Sequence, residues 1–290
     1  MEKIETLKKH LEELASIPDE KWIQGLEYRK IKELEFHDQS RDKERVASLD
    51  SATFNKFFSN RRFYSTDRNR KFYSTSNGMS DAYVDSWIRL QAKDKVFLDY
   101  ACGNGKLAIM AGQTGATLSV GLDISPVSIQ NAKENSIKLG VEKKTFFFQG
   151  DAENTMLPDN SMDVILCSGL LHHLDLSYAY PELRRILAPG GRILAIEALS
   201  YNPIIKMYRH LTPFMRTEWE KSHILNLRDV QFASRFFDIG EIRYWHIFSI
   251  LGAYFSPLLP AFNAIDFVLT KIPLVKLMAW SFTFELISRK

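Results

Sequence analysis

Three aspartates, Asp99, Asp123 and Asp151, each close a short apolar run, and a glycine turn, Gly103-Asn104-Gly105, follows the first of them. A carboxylate at the end of a buried strand can accept hydrogen bonds from a ligand held there, or attract its positive charge. Asp123 stands at the spacing past a glycine turn at which an acid accepts from ribose hydroxyls. Asp151, in Gly150-Asp151-Ala152-Glu153, can accept from the exocyclic amine of a purine, with Ala152 packing nearby. The glycines let the backbone approach closely, and a helix beginning near Lys106 turns its free N–H groups toward the ligand. One such aspartate alone would read as a helix N-cap. Three at successive strand ends, behind one glycine turn, point to a ligand containing a nucleoside.

Which nucleoside is decided by charge. Gly103-Asn-Gly105-Lys-Leu-Ala108 satisfies a loose dinucleotide pattern. Asp99, however, lies four residues before the first glycine, where its carboxylate would repel a pyrophosphate. S-adenosylmethionine carries an ammonium and a sulfonium group instead, and both are attracted. Displacement at a sulfonium methyl needs alignment, exclusion of water and sometimes a base. His172 and His173, directly after the fourth apolar run, are the candidate bases. Candidate acceptor contacts are His37, which an N-terminal helical lid would bring over the pocket, and Arg216 and His223, in a segment where substrate-binding additions sit. Arg216 suits a carboxylate or phosphate, and its alternative is a surface network with Glu218 and Glu220.

These groups need a scaffold, and the pattern supplies one. The runs starting at Val96, Leu118, Thr145, Asp163 and Arg192 alternate with helical segments at 106–111, 126–139 and 178–187. Strand–helix alternation with near-continuous apolar strands predicts a doubly wound, mainly parallel α/β sheet of the Rossmann-like type, covered on both faces. Two further strands, 239–247 and 281–288, bring the expectation to seven, with an apolar insertion between the last two. Residues 1 to about 48 read as helix, broken at Pro18, and Ser80 reads as the N-cap of a helix bearing Tyr83, Val84, Trp87 and Ile88. The expected organisation is a helical N-terminal extension or lid at 1–79 and a core at 80–247 with a substrate-binding addition at 201–226. The apolar helical insertion at 248–280 and the final strand at 281–290 follow.

Composition narrows the partners. A net charge of +3 and short basic clusters argue against nucleic acid. Cys102 and Cys167 sit in apolar runs as small buried hydrophobes, and no metal-ligand cluster is visible in the sequence. The charged, helical N-terminus is no signal peptide, so a cytoplasmic setting is the default. Tyr244–Ile265 contains no Asp, Glu, Lys or Arg, but Pro257 and Pro260 interrupt it too often for a membrane span. It reads as a buried lid or dimer contact, or as a peripheral membrane contact through 248–280.

Leu98-Asp-Tyr-Ala-Cys-Gly-Asn-Gly, Gly121-Leu-Asp-Ile-Ser, Gln149-Gly-Asp-Ala-Glu, Met156-Leu-Pro-Asp, Asp163-Val-Ile-Leu-Cys-Ser-Gly-Leu-Leu-His-His-Leu and Leu183-Arg-Arg-Ile-Leu-Ala-Pro-Gly-Gly-Arg-Ile occur in this order. The series resembles the successive motifs of class I S-adenosylmethionine-dependent methyltransferases, in the small-molecule branch that includes the quinone-pathway enzymes, over about residues 80–200. The resemblance implies that Asp99, Ala101, Gly103 and Gly105 contact the methionine part. It implies Asp123 for the ribose, Ile124 beside the adenine, Asp151 and Ala152 as the adenine pair, and Ser168, Gly169 and Leu170 closing near the methyl group. Tyr73 matches a region whose aromatic covers the cofactor. One departure is Lys106-Leu107 where the family often has a third glycine. The expected activity is methyl transfer from S-adenosylmethionine to oxygen or carbon of a small acceptor, lipophilic or lipid-linked. Two rivals are an NAD(P)-dependent oxidoreductase, disfavoured by Asp99 and by the lack of a Tyr-x-x-x-Lys pair near the fourth strand, and a non-catalytic protein that only binds S-adenosylmethionine.

Overall fold

The structure is a computed structural model and describes residues 2–41, 77–211 and 217–290. The core strands are β1 (Val96–Tyr100), β2 (Leu118–Asp123), β3 (Thr145–Gln149), β4 (Met162–Ser168), β5 (Leu187–Ala198), β6 (Asp238–Trp245) and β7 (Ser281–Ile287). They form one seven-stranded sheet in the order β3-β2-β1-β4-β5-β7-β6. The first five pair in parallel, and β7 lies antiparallel between β5 and β6. This bears out the expected fold.

The apolar strands have the physical cause anticipated for them. Alternate residues of β1 and β4 feed two different cores, one on each face of the sheet. Leu98, Tyr100, Ile165 and Cys167 join the larger one, and Phe97, Val164 and Leu166 join the other. The N-terminal helices are α1 (Glu2–Ala15), α2 (Asp19–Gln24) and α3 (Tyr28–Arg41). Leu7, Leu11 and Leu14 recur at helical spacing and are buried in the larger core, so α1 packs against the sheet beside β3. On the other face α4 (Gly78–Gln91) buries Val84, Trp87 and Ile88. Its first residue follows Asn77, so Ser80 is not the cap but lies inside the first turn. There its hydroxyl donates to the Asn77 carbonyl at 3.0 Å and meets His246 Nε2 at 2.8 Å.

Helices α5 (Lys106–Gln113), α6 (Pro126–Lys138) and α7 (Leu176–Ile186) make the crossovers. Ser125 and Asp175 cap the last two, each accepting a backbone N–H, and Pro126 sits at the first helical position. Beyond β5 come α8 (Pro203–Leu211), α9 (Glu218–Ser222) and α10 (Leu227–Ala233). The last starts on a capping box between Asn226 and Asp229.

The insertion between β6 and β7 carries short 3-10 turns and α11 (Leu259–Leu269). Buried Asp266 pins it by accepting the N–H groups of Ile247, Phe248 and Ser249 at 3.1, 2.7 and 3.0 Å. Its outer side is apolar: Tyr254, Phe255, Leu258, Phe267, Val268 and Leu274 are exposed. Among the described residues no helix is long and apolar enough to cross a membrane.

Candidate active site

Strand order reverses between β1 and β4, and in a doubly wound sheet a ligand binds outside the carboxyl ends of the strands at that point. Ala101 follows β1 there and Ser168 ends β4. Two cavities meet at these residues, because Ala101 and Ser168 line both. One is flanked by Asp99, Gly103 and Lys106, the other by Asp123, Ile124, Asp151, Ala152, Gly169 and Leu170. Every described residue expected from the motifs to touch the cofactor therefore belongs to this junction, apart from Gly105, which shapes the turn. Gly105 has φ 81°, and a Cβ there would lie 2.8 Å from that of Ala132, so only glycine fits. Ala101 holds φ 70°, a left-handed backbone that is uncommon for a residue with a side chain and that clusters at functional sites.

Each aspartate has its own environment. Asp123 Oδ2 accepts the Gly103 N–H at 2.8 Å and Oδ1 accepts the Ser125 N–H at 2.9 Å. It thus braces the glycine turn, and a carboxylate still keeps acceptor sites for ribose hydroxyls. Asp99 is only 2% exposed and accepts the Ala108 N–H at 3.1 Å. Burial pushes its carboxyl up to about 7, the Ala108 bond opposes this, and the Asp123 charge adds to it. A buried carboxyl in this state suits a cationic amine, which would restore its charge. Asp151 is already engaged. Lys30 Nζ lies 2.6 Å from its Oδ2, and the Glu153 N–H reaches Oδ1 at 2.9 Å.

Lys30 belongs to α3, which covers the second cavity. Arg29, Lys30, Glu33 and His37 all line it. Arg29 Nη2 grips Glu153 at 2.7 and 2.9 Å, and Lys30 adds a contact at 2.9 Å. Burial would lower the Lys30 pKa, but hydrogen bonds to Asp151 and Glu153 outweigh it and raise it. His37, on the same helix, lines the cavity with Arg29 and Lys30.

The two candidate bases part company. His173 lines the cavity beneath α3, with Nδ1 3.0 Å from Glu33 Oε2. Burial would lower its pKa, yet the Glu33 contact and the charges of Glu220 and Glu197 leave it raised. Glu33, which also accepts from the Thr217 hydroxyl, is lowered: burial raises it, and the His173 and Thr217 contacts overcome that. His172 instead lines a neighbouring cavity with Trp219 and His223. Its Nδ1 is 2.6 Å from Glu197 Oε2, and Glu197 Oε1 accepts the N–H groups of Leu170 and Leu171 at 2.8 and 2.7 Å. His223 stacks flat on Trp219 with ring centres 3.8 Å apart. Tyr73 and Arg216 lie outside the described residues.

Sequence reasoning passed over Arg29, Lys30, Glu33 and Glu197. Arg29, Glu33 and His37 are spaced four apart, so they share one helix face. Glu197 stands near the end of β5, as Asp99 does in β1 and Asp123 in β2.

Residues 98–195 match the methyltransferase domain family. Over these residues the chain carries a methyltransferase domain of the class I S-adenosylmethionine-dependent type. It is 33% identical over 105 residues to 27-O-demethylrifamycin SV methyltransferase of Amycolatopsis mediterranei, covering 36% of this chain and 38% of that protein. It is 34% identical over 113 residues to demethylmenaquinone methyltransferase of Thermus thermophilus, covering 38% of this chain and 50% of that protein. These matches span half or less of the relatives' lengths. Geranyl diphosphate C-methyltransferase from Streptomyces coelicolor A3(2), solved with Mg2+, geranyl diphosphate and S-adenosyl-L-homocysteine, shares the fold. The TM-score is 0.52 at 13% identity, over 72% of this chain and 79% of that one. The dinucleotide oxidoreductase alternative is not favoured by any of these.

Proposed function

We propose that the methyltransferase domain moves a methyl group from S-adenosylmethionine to oxygen or carbon of a small lipophilic or lipid-linked acceptor, at a lipid surface. When bound, the cofactor supplies a methyl already activated by its sulfonium. The protein's part is to bind, orient and exclude water. The observation that carries the cofactor reading is the pair of cavities meeting at Ala101 and Ser168, one with buried Asp99 and the other with Asp123 and Asp151. Asp99 would hold the amino group, Asp123 the ribose, and Asp151 and Ala152 the adenine. Asp151 would then share its carboxylate between the adenine amine and Lys30.

On the acceptor side, Glu197 ties the Leu170–Leu171 backbone and His172 into one unit. This pairing keeps the His172 ring in one orientation, with Nε2 3.9 Å from Glu220 Oε1, and the ring lines a cavity with Trp219 and His223. An acceptor hydroxyl or an acidic C–H placed there would give its proton to Nε2. Arg216 and Tyr73 remain candidates for acceptor and cofactor contacts.

The lipid reading is supported by the insertion. Its exposed Tyr254, Phe255, Leu258, Phe267, Val268 and Leu274 lie in one segment with Lys271 and Lys276. Apolar residues flanked by lysines suit the interface of an anionic bilayer. Calorimetry with S-adenosylmethionine against NADH, then product formation across an acceptor panel, tests the activity. Phosphatidylserine vesicles test the surface. The wild type should float with them, and Phe255→Asp with Phe267→Asp should abolish flotation at unchanged melting temperature. Wild-type protein that stays at the bottom of the gradient refutes the lipid reading.

A further inference from the structure

We infer that Glu33, His37 and His173 form a binding site for a divalent first-row transition-metal ion beneath α3. The sequence shows no such cluster, because its third member lies 136 positions beyond the second. The fold assembles it from two elements. Glu33 and His37 are one helical turn apart on α3, so their side chains project from the same face. His173 closes the group from the short 3-10 turn after β4.

The spacing suits an ion. Glu33 Oε2 lies 3.0 Å from His173 Nδ1 and 3.8 Å from His37 Nε2. One donor atom of each residue lies within 4.8 Å of the others. Ligands held about 2.1 Å from a zinc-sized ion stand roughly 3.0–3.4 Å from one another, so small rotations about the side-chain bonds complete the set. The donors also choose the ion. Two imidazoles and one carboxylate are the ligand types of zinc, iron and manganese rather than of calcium or magnesium.

The surroundings act in the same direction. The Thr217 hydroxyl donates to Glu33 Oε1, leaving Oε2 to face the histidines. Such a second contact orients a metal-binding carboxylate. Glu197 and Glu220 stand behind His172, and Glu220 is matched by Arg209 at 3.5 Å. Arg29 and Lys30, one turn earlier on α3, are committed to Glu153 and Asp151. The local field therefore favours an added positive charge. Three protein ligands leave coordination positions free, and all three residues line the cavity that also contains Ser168, Gly169 and Leu170. An ion there would tie α3 to the turn after β4 and present its open side to an oxygen donor in the cavity. That last role rests on the methyltransferase reading, whereas the binding of the metal does not.

The test is calorimetric titration of Zn2+ into the chelator-treated 290-residue chain, with Co2+ absorption as a second readout. The expected result is one tight equivalent, raised thermal stability, and visible Co2+ bands of nitrogen–oxygen coordination. His37→Ala and Glu33→Gln should each weaken Zn2+ binding at least tenfold and erase the Co2+ bands. His210→Ala, an exposed histidine elsewhere, should change neither. Circular dichroism and the melting temperature of the metal-free variants establish that they fold. No stoichiometric binding, or binding that survives in folded His37→Ala, overturns the site and leaves Glu33–His173 as a plain ion pair. S-adenosylmethionine titrated into the same samples separates this failure from failure of the cofactor reading.

Discussion

Asp99 makes cofactor affinity depend on pH in a way that can be calculated. Its carboxyl is raised to about 7 by burial, so near neutrality about half of the ligand-free protein carries it protonated. Only the carboxylate pairs with the ammonium of S-adenosylmethionine, so binding expels that proton. Linkage then multiplies the apparent Kd by 1 + 10^(7 − pH), which is about 2 at pH 7 and about 11 at pH 6. Affinity should therefore fall about fivefold to sixfold over that single unit, about 1 kcal/mol. The ligand's amine remains largely protonated throughout this window, so its own titration contributes little. Calorimetry in buffers of different ionisation enthalpy checks both the slope and the proton released. Asp99→Asn should bind more weakly at pH 7 and lose this part of the slope. It should bind adenosine, which lacks the amine, nearly as the wild type does. A flat wild-type profile, or a slope that persists in Asp99→Asn, would refute the electrostatic role. The same shift acts on folding with the opposite sign. A carboxyl whose pKa is raised in the folded state favours that state at low pH, and the benefit fades as pH rises from the unfolded value through about 7.

Glu197→Gln leaves the side-chain volume nearly unchanged but removes one acceptor from a group that holds three donors. It should lower kcat about a hundredfold, the range for a misoriented base, while KM for the cofactor changes little; an unchanged kcat would remove Glu197 from its positioning role. His246 is pushed down to about 4 by burial, partly offset by the Asp266 charge, and bonds Ser249 and Ser80 as a neutral ring. Its contribution is intact above the unfolded value of about 6.5 and drains away as pH falls toward 4, amounting to about 3 kcal/mol in urea titrations. His246→Gln should flatten that acid loss, and an identical acid limb in both proteins would exclude it.

The sequence by itself determined the sheet and the cofactor end of the site. Strands buried on both faces must be apolar throughout, and β1 and β2 are buried at every position, so they are legible without any neighbour in view. Asp99, Asp123 and Asp151 close such runs, and Gly105 is demanded by backbone geometry, so local order alone announces them. Tertiary structure decided what lies across from them. The Lys30–Asp151 bridge at 2.6 Å joins positions 121 apart, and no periodicity encodes such a pair. His172 and His173 are neighbours in the chain, yet the 3-10 turn sends one toward Glu197 and the other toward Glu33. The left-handed backbone of Ala101 and the buried state of Asp99 also depend on packing, because burial is a property of surroundings that the residue's own identity does not carry. Short-range pattern fixes which residues end a strand, whereas the closing of α3 over the strand ends fixes the charges that face them.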